Sequence, residues 1–167
     1  MRSPQKSELF PVAVNLSQWM TSSPATLAGH SLIFYDGVCG LCNRFVRFVL
    51  RHDFEDQYRF CALQDPLASQ ILARYGLDPA TLNTVCLVIN PFASGERLLL
   101  RSDAAIAVLS NLNGGWRLLA RLLALVPRRL RDFAYGIVAR IRYRLFGRLA
   151  VCPLPTPAER HRFVFSP

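Results

Sequence analysis

The short apolar run Ser31 to Tyr35 is closed by Asp36-Gly37 and followed at once by a helical pattern from Cys39, and this strand-turn-helix order restricts the fold more than any other part of the sequence. From Cys39 to about His52 the residues Phe45, Val46, Phe48, Val49 and Leu50 recur at helical spacing. Arg44, Arg47 and Arg51 share one stripe, so this helix packs on one side and is cationic on another. Tyr58 to Leu63 alternates as a strand does, Pro66 to Tyr75 reads as a short helix closed by Gly76, and Thr84 to Ile89 reads as a third strand. The loop Asn90 to Gly95 then leads to a fourth strand, Arg97 to Leu100, close enough to pair with the third as a hairpin, and Ser102 is expected to cap the next helix.

Two parallel strands joined by a crossover helix, then an antiparallel hairpin and a helix, predict an α/β fold with a thioredoxin-like β-α-β-α-β-β-α core and additional C-terminal helices. Those helices are expected at Trp116 to Val126 and Arg128 to Phe146, with Pro127 between them. In the second, Leu130, Phe133, Ala134, Ile137, Val138, Ile141 and Leu145 mark one apolar face, expected to be buried with the arginines solvated opposite. Residues 1–30, rich in Ser, Thr, Pro and Gln, read as a flexible N-terminal arm; 31–150 form the domain with its helical extension; 151–167 form an extended proline-rich surface tail.

The 167 residues suit one core, and a net charge of +9, carried almost wholly by arginine since Lys6 is the only lysine, makes the surface basic. Peripheral contact with an anionic membrane is compatible with that charge; nucleic acid is not expected, because no binding motif accompanies it. No apolar h-region follows Arg2 and Lys6, and Leu118 to Val126 is too short and too interrupted to span a bilayer. Five cysteines, an odd and scattered set, point to a reducing, cytoplasmic setting rather than a secreted disulfide scaffold.

Cys39 and Cys42 form a C-x-x-C pair at a helix start, where a three-residue offset puts both sulfurs on one face. Unpaired backbone N–H groups and the helix dipole favour a thiolate at Cys39, the expected nucleophile. Cys42, one turn inward, is expected to be the more buried and to resolve a mixed disulfide. Asp36 is placed either to influence or accept a proton or to hold the turn. His52, thirteen residues beyond Cys39, lies roughly 20 Å along a helix and cannot serve as its base. A lone C-x-x-C is also half of a zinc site, but no second pair exists, so a zinc-binding or interaction module is the alternative, with a basic membrane-peripheral redox sensor beside it. Cys61 and Cys86, in strands, read as buried filling; Cys152 is either a structural cysteine or a third thiol folded back over the pair.

The run Phe34-Tyr35-Asp36-Gly37-Val38-Cys39-Gly40-Leu41-Cys42-Asn43 resembles the signature of the DCC family of predicted thiol-disulfide oxidoreductases, named for Asp-x-x-Cys-x-x-Cys. The similarity continues through Arg59-Phe60, Ala62-Leu63-Gln64, Ser102-Asp103-Ala104, Arg142-Tyr143-Arg144, Phe146-Gly147-Arg148 and Cys152. It implies a thioredoxin-like fold and disulfide exchange by Cys39 and Cys42 with Asp36, no dissociable cofactor, and as partners a disulfide-containing protein or small thiol and a reductant. Where thioredoxins carry a proline before the third strand this chain holds Thr84, and Arg44 and Arg47 beside the cysteines are candidates for recognising an acidic partner.

Overall fold

The computed structural model describes residues 27–166, so most of the expected N-terminal arm lies outside the described residues. The elements run β1 (Ser31–Tyr35), α1 (Gly40–His52), β2 (Tyr58–Ala62), α2 (Pro66–Ala73), β3 (Cys86–Ile89), β4 (Arg97–Leu100), α3 (Arg101–Asn111), α4 (Trp116–Ala124) and α5 (Arg128–Phe146), followed by a 3-10 turn at Arg160–Arg162. The strands form one mixed sheet in the order β2-β1-β3-β4, with β1 parallel to β2 and antiparallel to β3, and β3 antiparallel to β4. This is the expected thioredoxin-like core.

Strand alternation distributes the core over two faces of the sheet. Ile33, Tyr35, Tyr58, Phe60 and Leu87 pack with Val46, Val49, Ala104 and Val108 from α1 and α3. Leu32, Phe34, Cys61, Cys86 and Val88 face the other way, onto Ala68, Ile71 and Leu72 of α2. Phe34 is registered with Cys61 on one side and Cys86 on the other, so these two cysteines belong to an apolar row on the face opposite the C-x-x-C pair.

Three local expectations change. Ser102 lies in the first turn of α3 rather than capping it: the N-cap is Leu100, and the Ser102 hydroxyl donates to Asp132 of α5 at 2.5 Å. The apolar arc of α5 is not buried. Leu130, Phe133, Ile137, Val138 and Leu145 are exposed, while Tyr135, Arg142 and Tyr143 turn inward. The helix docks through its polar face because the groups awaiting it, including the Val85 N–H and the Asp36 carboxylate, are buried and need partners. Finally, the segment after Val151 runs irregularly through Thr156 and then packs against the free edge of β2.

There Val164 N–H donates to Phe60 O at 2.8 Å, Phe163 stacks on Phe60 with ring centroids 5.3 Å apart, and Ser166 N–H donates to Asp65 at 3.0 Å. An edge strand with unpaired amides is thereby covered by the chain's own terminus. Buried Arg162 fixes the segment by pairing with Asp53, whose carboxylate also accepts the N–H groups of Gln57 and Tyr58, each at 3.1 Å. Because Asp53 satisfies two backbone donors besides the arginine, Asp53→Ala is expected to lose more stability than Arg162→Ala, roughly 3–5 against 1–3 kcal/mol in urea unfolding. Equal losses would contradict this ordering.

Candidate active site

β1 delivers Asp36 and Gly37 to the turn, and α1 starts on Cys39, its N-cap residue, whose backbone is extended (φ −89°, ψ 122°). The Cys42 N–H donates to Cys39 Sγ at 3.5 Å, so the sulfur occupies the place of a capping oxygen at the positive end of the helix. Asn43 holds the turn closed, its Nδ2 donating to Gly37 O at 2.7 Å and Cys39 O at 3.0 Å.

Asp36 is 7% exposed and ties three segments together. One carboxylate oxygen accepts from Val38 N–H at 3.2 Å and Gln64 Nε2 at 3.0 Å; the other accepts from Arg142 Nη2 at 3.2 Å and from the Tyr143 hydroxyl. Burial opposes its charge, but the hydrogen bonds from Tyr143, Gln64 and Val38, with the Arg142 guanidinium, hold its carboxyl below the usual range. Gln64 also accepts Gly37 N–H at 3.0 Å through its carbonyl oxygen. Arg142, 4% exposed, donates further to Asn83 O at 2.8 Å and lies against the Tyr143 ring. Its Nε is buried and has no hydrogen-bond partner among the described residues.

The relative burial of the two thiols is the reverse of that expected from the sequence. Cys39 is 0% exposed and Cys42 8%. The cause is the chain leaving α5, which folds as a strap over the start of α1: Gly40 N–H donates to Gly147 O at 3.2 Å, Leu149 N–H donates to Val38 O at 2.8 Å, and Arg148 bridges Cys39 between them. Gly147 makes the bend at φ 74°, a conformation glycine adopts without strain. Gly40 is required for a different reason: a Cβ there would run into the Phe146 carbonyl.

Cys42 opens onto a cavity of about 180 Å³, lined by Leu41, Phe45, Thr84, Tyr135 and Arg142 among others. Burial, then the neighbouring Cys39, pushes the Cys42 thiol up to about 12. Thr84 is fixed at the cavity wall, where its Oγ1 accepts Arg101 N–H at 3.1 Å and lies 3.1 Å from the Tyr135 oxygen. Cys152 lies beside Tyr35 and the Asp36-Gly37 turn. Its Sγ is 3.7 Å from the Tyr35 hydroxyl, and a Cβ on Gly37 would stand 2.6 Å from that sulfur, so Gly37 makes room for it. Arg44 and Arg47 are exposed, Arg44 lying 5.3 Å from the Phe146 ring centroid.

For metal, the remaining donors do not converge: Cys61 and Cys86 lie across the sheet and His30 is engaged by Arg59 at 2.8 Å. Among the described residues no group of three or more His, Cys, Asp or Glu side chains is arranged to hold an ion. The residues that sequence reasoning left without a role are Gln64, Tyr135, Arg142 and Tyr143. The available signal was the inward row Tyr135, Ala139 and Arg142, at helical spacing and opposite the apolar arc.

Two outcomes follow from this geometry. Asp36→Asn leaves the Arg142 guanidinium buried without its counter-ion and is expected to cost about 3–5 kcal/mol near neutral pH. The lowered carboxyl stabilises the wild type above the usual carboxylate range, and that contribution is lost as pH falls through the folded-state value. The variant should therefore lose less on acidification; parallel acid titrations would refute the role given to Asp36. Leu149→Pro removes the N–H that closes the strap, and iodoacetamide labelling of Cys39, read by peptide mass, is expected to accelerate about fivefold to tenfold. An unchanged rate would show that the strap does not limit access.

Residues 33–148 match the family model described as DCC1-like thiol-disulfide oxidoreductase. Uncharacterized protein YuxK of Bacillus subtilis (strain 168) is 33% identical over 133 residues, 80% of this chain and 93% of the relative. A chloroplastic DCC family protein of Arabidopsis thaliana is 37% identical over 123 residues, 74% of this chain and 69% of the relative. No solved structure is significantly similar to the chain. With its Asp-x-x-Cys-x-x-Cys turn built around a buried ion pair, and with most of its length matched, the chain belongs to the DCC1-like thiol-disulfide oxidoreductase family.

Proposed function

We propose that the chain catalyses thiol–disulfide exchange with Cys39 as nucleophile and Cys42 as resolving thiol. The observation that carries this is the position of Cys39 Sγ at the N-cap of α1, accepting the Cys42 N–H. Cys39 attacks a substrate disulfide as its thiolate, forming a mixed disulfide and releasing one substrate thiolate. Cys42 then attacks Cys39 Sγ, loses its proton, and displaces the second substrate thiolate. The substrate gains two electrons, the protein holds a Cys39–Cys42 disulfide, and an external dithiol or small thiol reductant resets it. The exchange needs no dissociable cofactor, since electrons move between sulfur atoms.

The other residues take roles from their surroundings. Arg142 lies close enough to both thiols for their charges to interact with it, and a buried guanidinium acts at lower effective dielectric than exposed Arg44 and Arg47. It is the cation of the site. Asp36, held ionised by its partners, orients Arg142 and the turn instead of accepting a proton. Cys42, shifted upward, stays protonated until it attacks. Thr84 shapes the approach to the pair where a thioredoxin places proline. The strap over Cys39 must lift or shift for a substrate disulfide to reach in-line geometry with that sulfur. The odd set of five free cysteines fits a reducing, cytoplasmic setting.

The test is reduction of insulin by dithiothreitol in the presence of the protein, with bound zinc quantified in the same preparations. Turnover that falls to background in Cys39→Ser, in metal-free protein, is the expected result. Stoichiometric zinc lost on removing either thiol, with no turnover in the wild type, would replace this reading by a zinc-binding module.

A further inference from the structure

Between Trp116 and Leu149 the sequence contains nine arginines and one acidic residue, Asp132, a net +8 out of +9 for the whole chain. The charge of this protein is therefore concentrated in α4, α5 and the strap. In the same segment Leu118, Leu122 and Leu125 recur along and just beyond α4, and Leu130, Phe133 and Ile137 along α5; all are exposed, Leu125 by 80% and Phe133 by 65%. Such spacing places each set on one helix face. These are two exposed aliphatic stripes on consecutive helices, a pattern that marks an interaction surface.

The chemistry of that partner follows from what the surface lacks. Apart from arginine and the Trp116 indole, the only polar side chains from Trp116 to Leu149 are Asp132, Tyr135 and Tyr143. Each is turned inward, to Ser102, to Val85 N–H and to Asp36 respectively. The outward side thus offers hydrocarbon and guanidinium groups, with no neutral side chain to exchange the hydrogen bonds that a protein interface carries at about one per 100–200 Å². A second copy is disfavoured too, because it would bring the same positive charge face to face. Arg117, Arg121, Arg129 and Arg140 form no ion pair among the described residues, so their charge is free to act.

We propose that the exposed α4–α5 face binds an anionic membrane surface, with its leucines and Phe133 in the interfacial hydrocarbon and its arginines on lipid phosphates. Binding is peripheral, since no helix among the described residues is long and apolar enough to cross a membrane. Because α5 presents Arg142 and Tyr143 to the C-x-x-C turn from its opposite side, docking holds the site about one helix diameter, roughly 10 Å, from the lipid. The inference stands independently of the redox reading.

The test is co-sedimentation of the full chain with vesicles of phosphatidylcholine alone or mixed with phosphatidylglycerol. Binding only to the mixed vesicles, weakened by added salt, is expected. Arg129→Gln with Arg140→Gln should weaken it about thirtyfold, near fivefold for each arginine brought to the surface. Leu122→Ser with Phe133→Ser should abolish it; circular dichroism and urea unfolding verify that the exposed substitutions leave the fold intact. Equal binding to both vesicles, or binding indifferent to Phe133→Ser, would overturn the proposal. Binding to neither would overturn it and leave an acidic protein as the occupant, and a dimer in sedimentation dissolved by Phe133→Ser would assign the face to a second copy.

Discussion

The buried pair of Asp36 and Arg142 is the interaction on which the site depends. One partner ends β1 and the other lies near the end of α5, 106 residues later, so their contact sets where the last helix sits. An ion pair this deep has little Coulomb energy to spare after desolvation; here Val38, Gln64 and Tyr143 satisfy the carboxylate oxygens and Asn83 accepts from one guanidinium nitrogen, while Arg142 Nε has no partner among the described residues. The consequence is geometric specificity: α5 has one seating on the C-x-x-C turn. Its apolar arc points outward as a direct result, because the polar face is required inside.

The strap follows from the same seating. Once α5 ends beside Gly40, the chain must turn at Gly147, and Gly147-Arg148-Leu149 runs antiparallel to Val38-Cys39-Gly40. The cysteine at the favoured electrostatic position is then sealed, while its partner faces a small apolar cavity. In the proposed mechanism electrostatics and access are thereby separated: the helix terminus and Arg142 bring positive charge to the pair, and the strap governs encounter. Arg148 lies in the strap with its guanidinium 5.8 Å from the Tyr143 ring centroid, so strap, ion pair and helix form one connected unit.

Much of this was legible in the sequence because local pattern and tertiary structure agree. The Ser31–Tyr35 run, the Cys39 turn and the Arg97–Leu100 strand each carry periodicity or turn residues that define their own element. The orientation of α5 was not legible, since amphipathicity states which residues share a face and not which face is buried. The reversed burial of Cys39 and Cys42 was hidden for a related reason: it depends on Gly147 and Leu149, more than a hundred residues away, whose backbone groups carry no side-chain signature. Ser102 misled as a cap because its hydroxyl is committed to Asp132, a tertiary partner.

In the proposed mechanism Cys39, despite being the more buried thiol, is the one that meets substrate. The most direct measurement is to trap the first covalent complex of Cys42→Ser with a disulfide substrate and locate the linked cysteine by peptide mass spectrometry. A mixed disulfide on Cys39 is the expected result. Linkage through Cys152, or no covalent complex with a variant that remains folded, would contradict it.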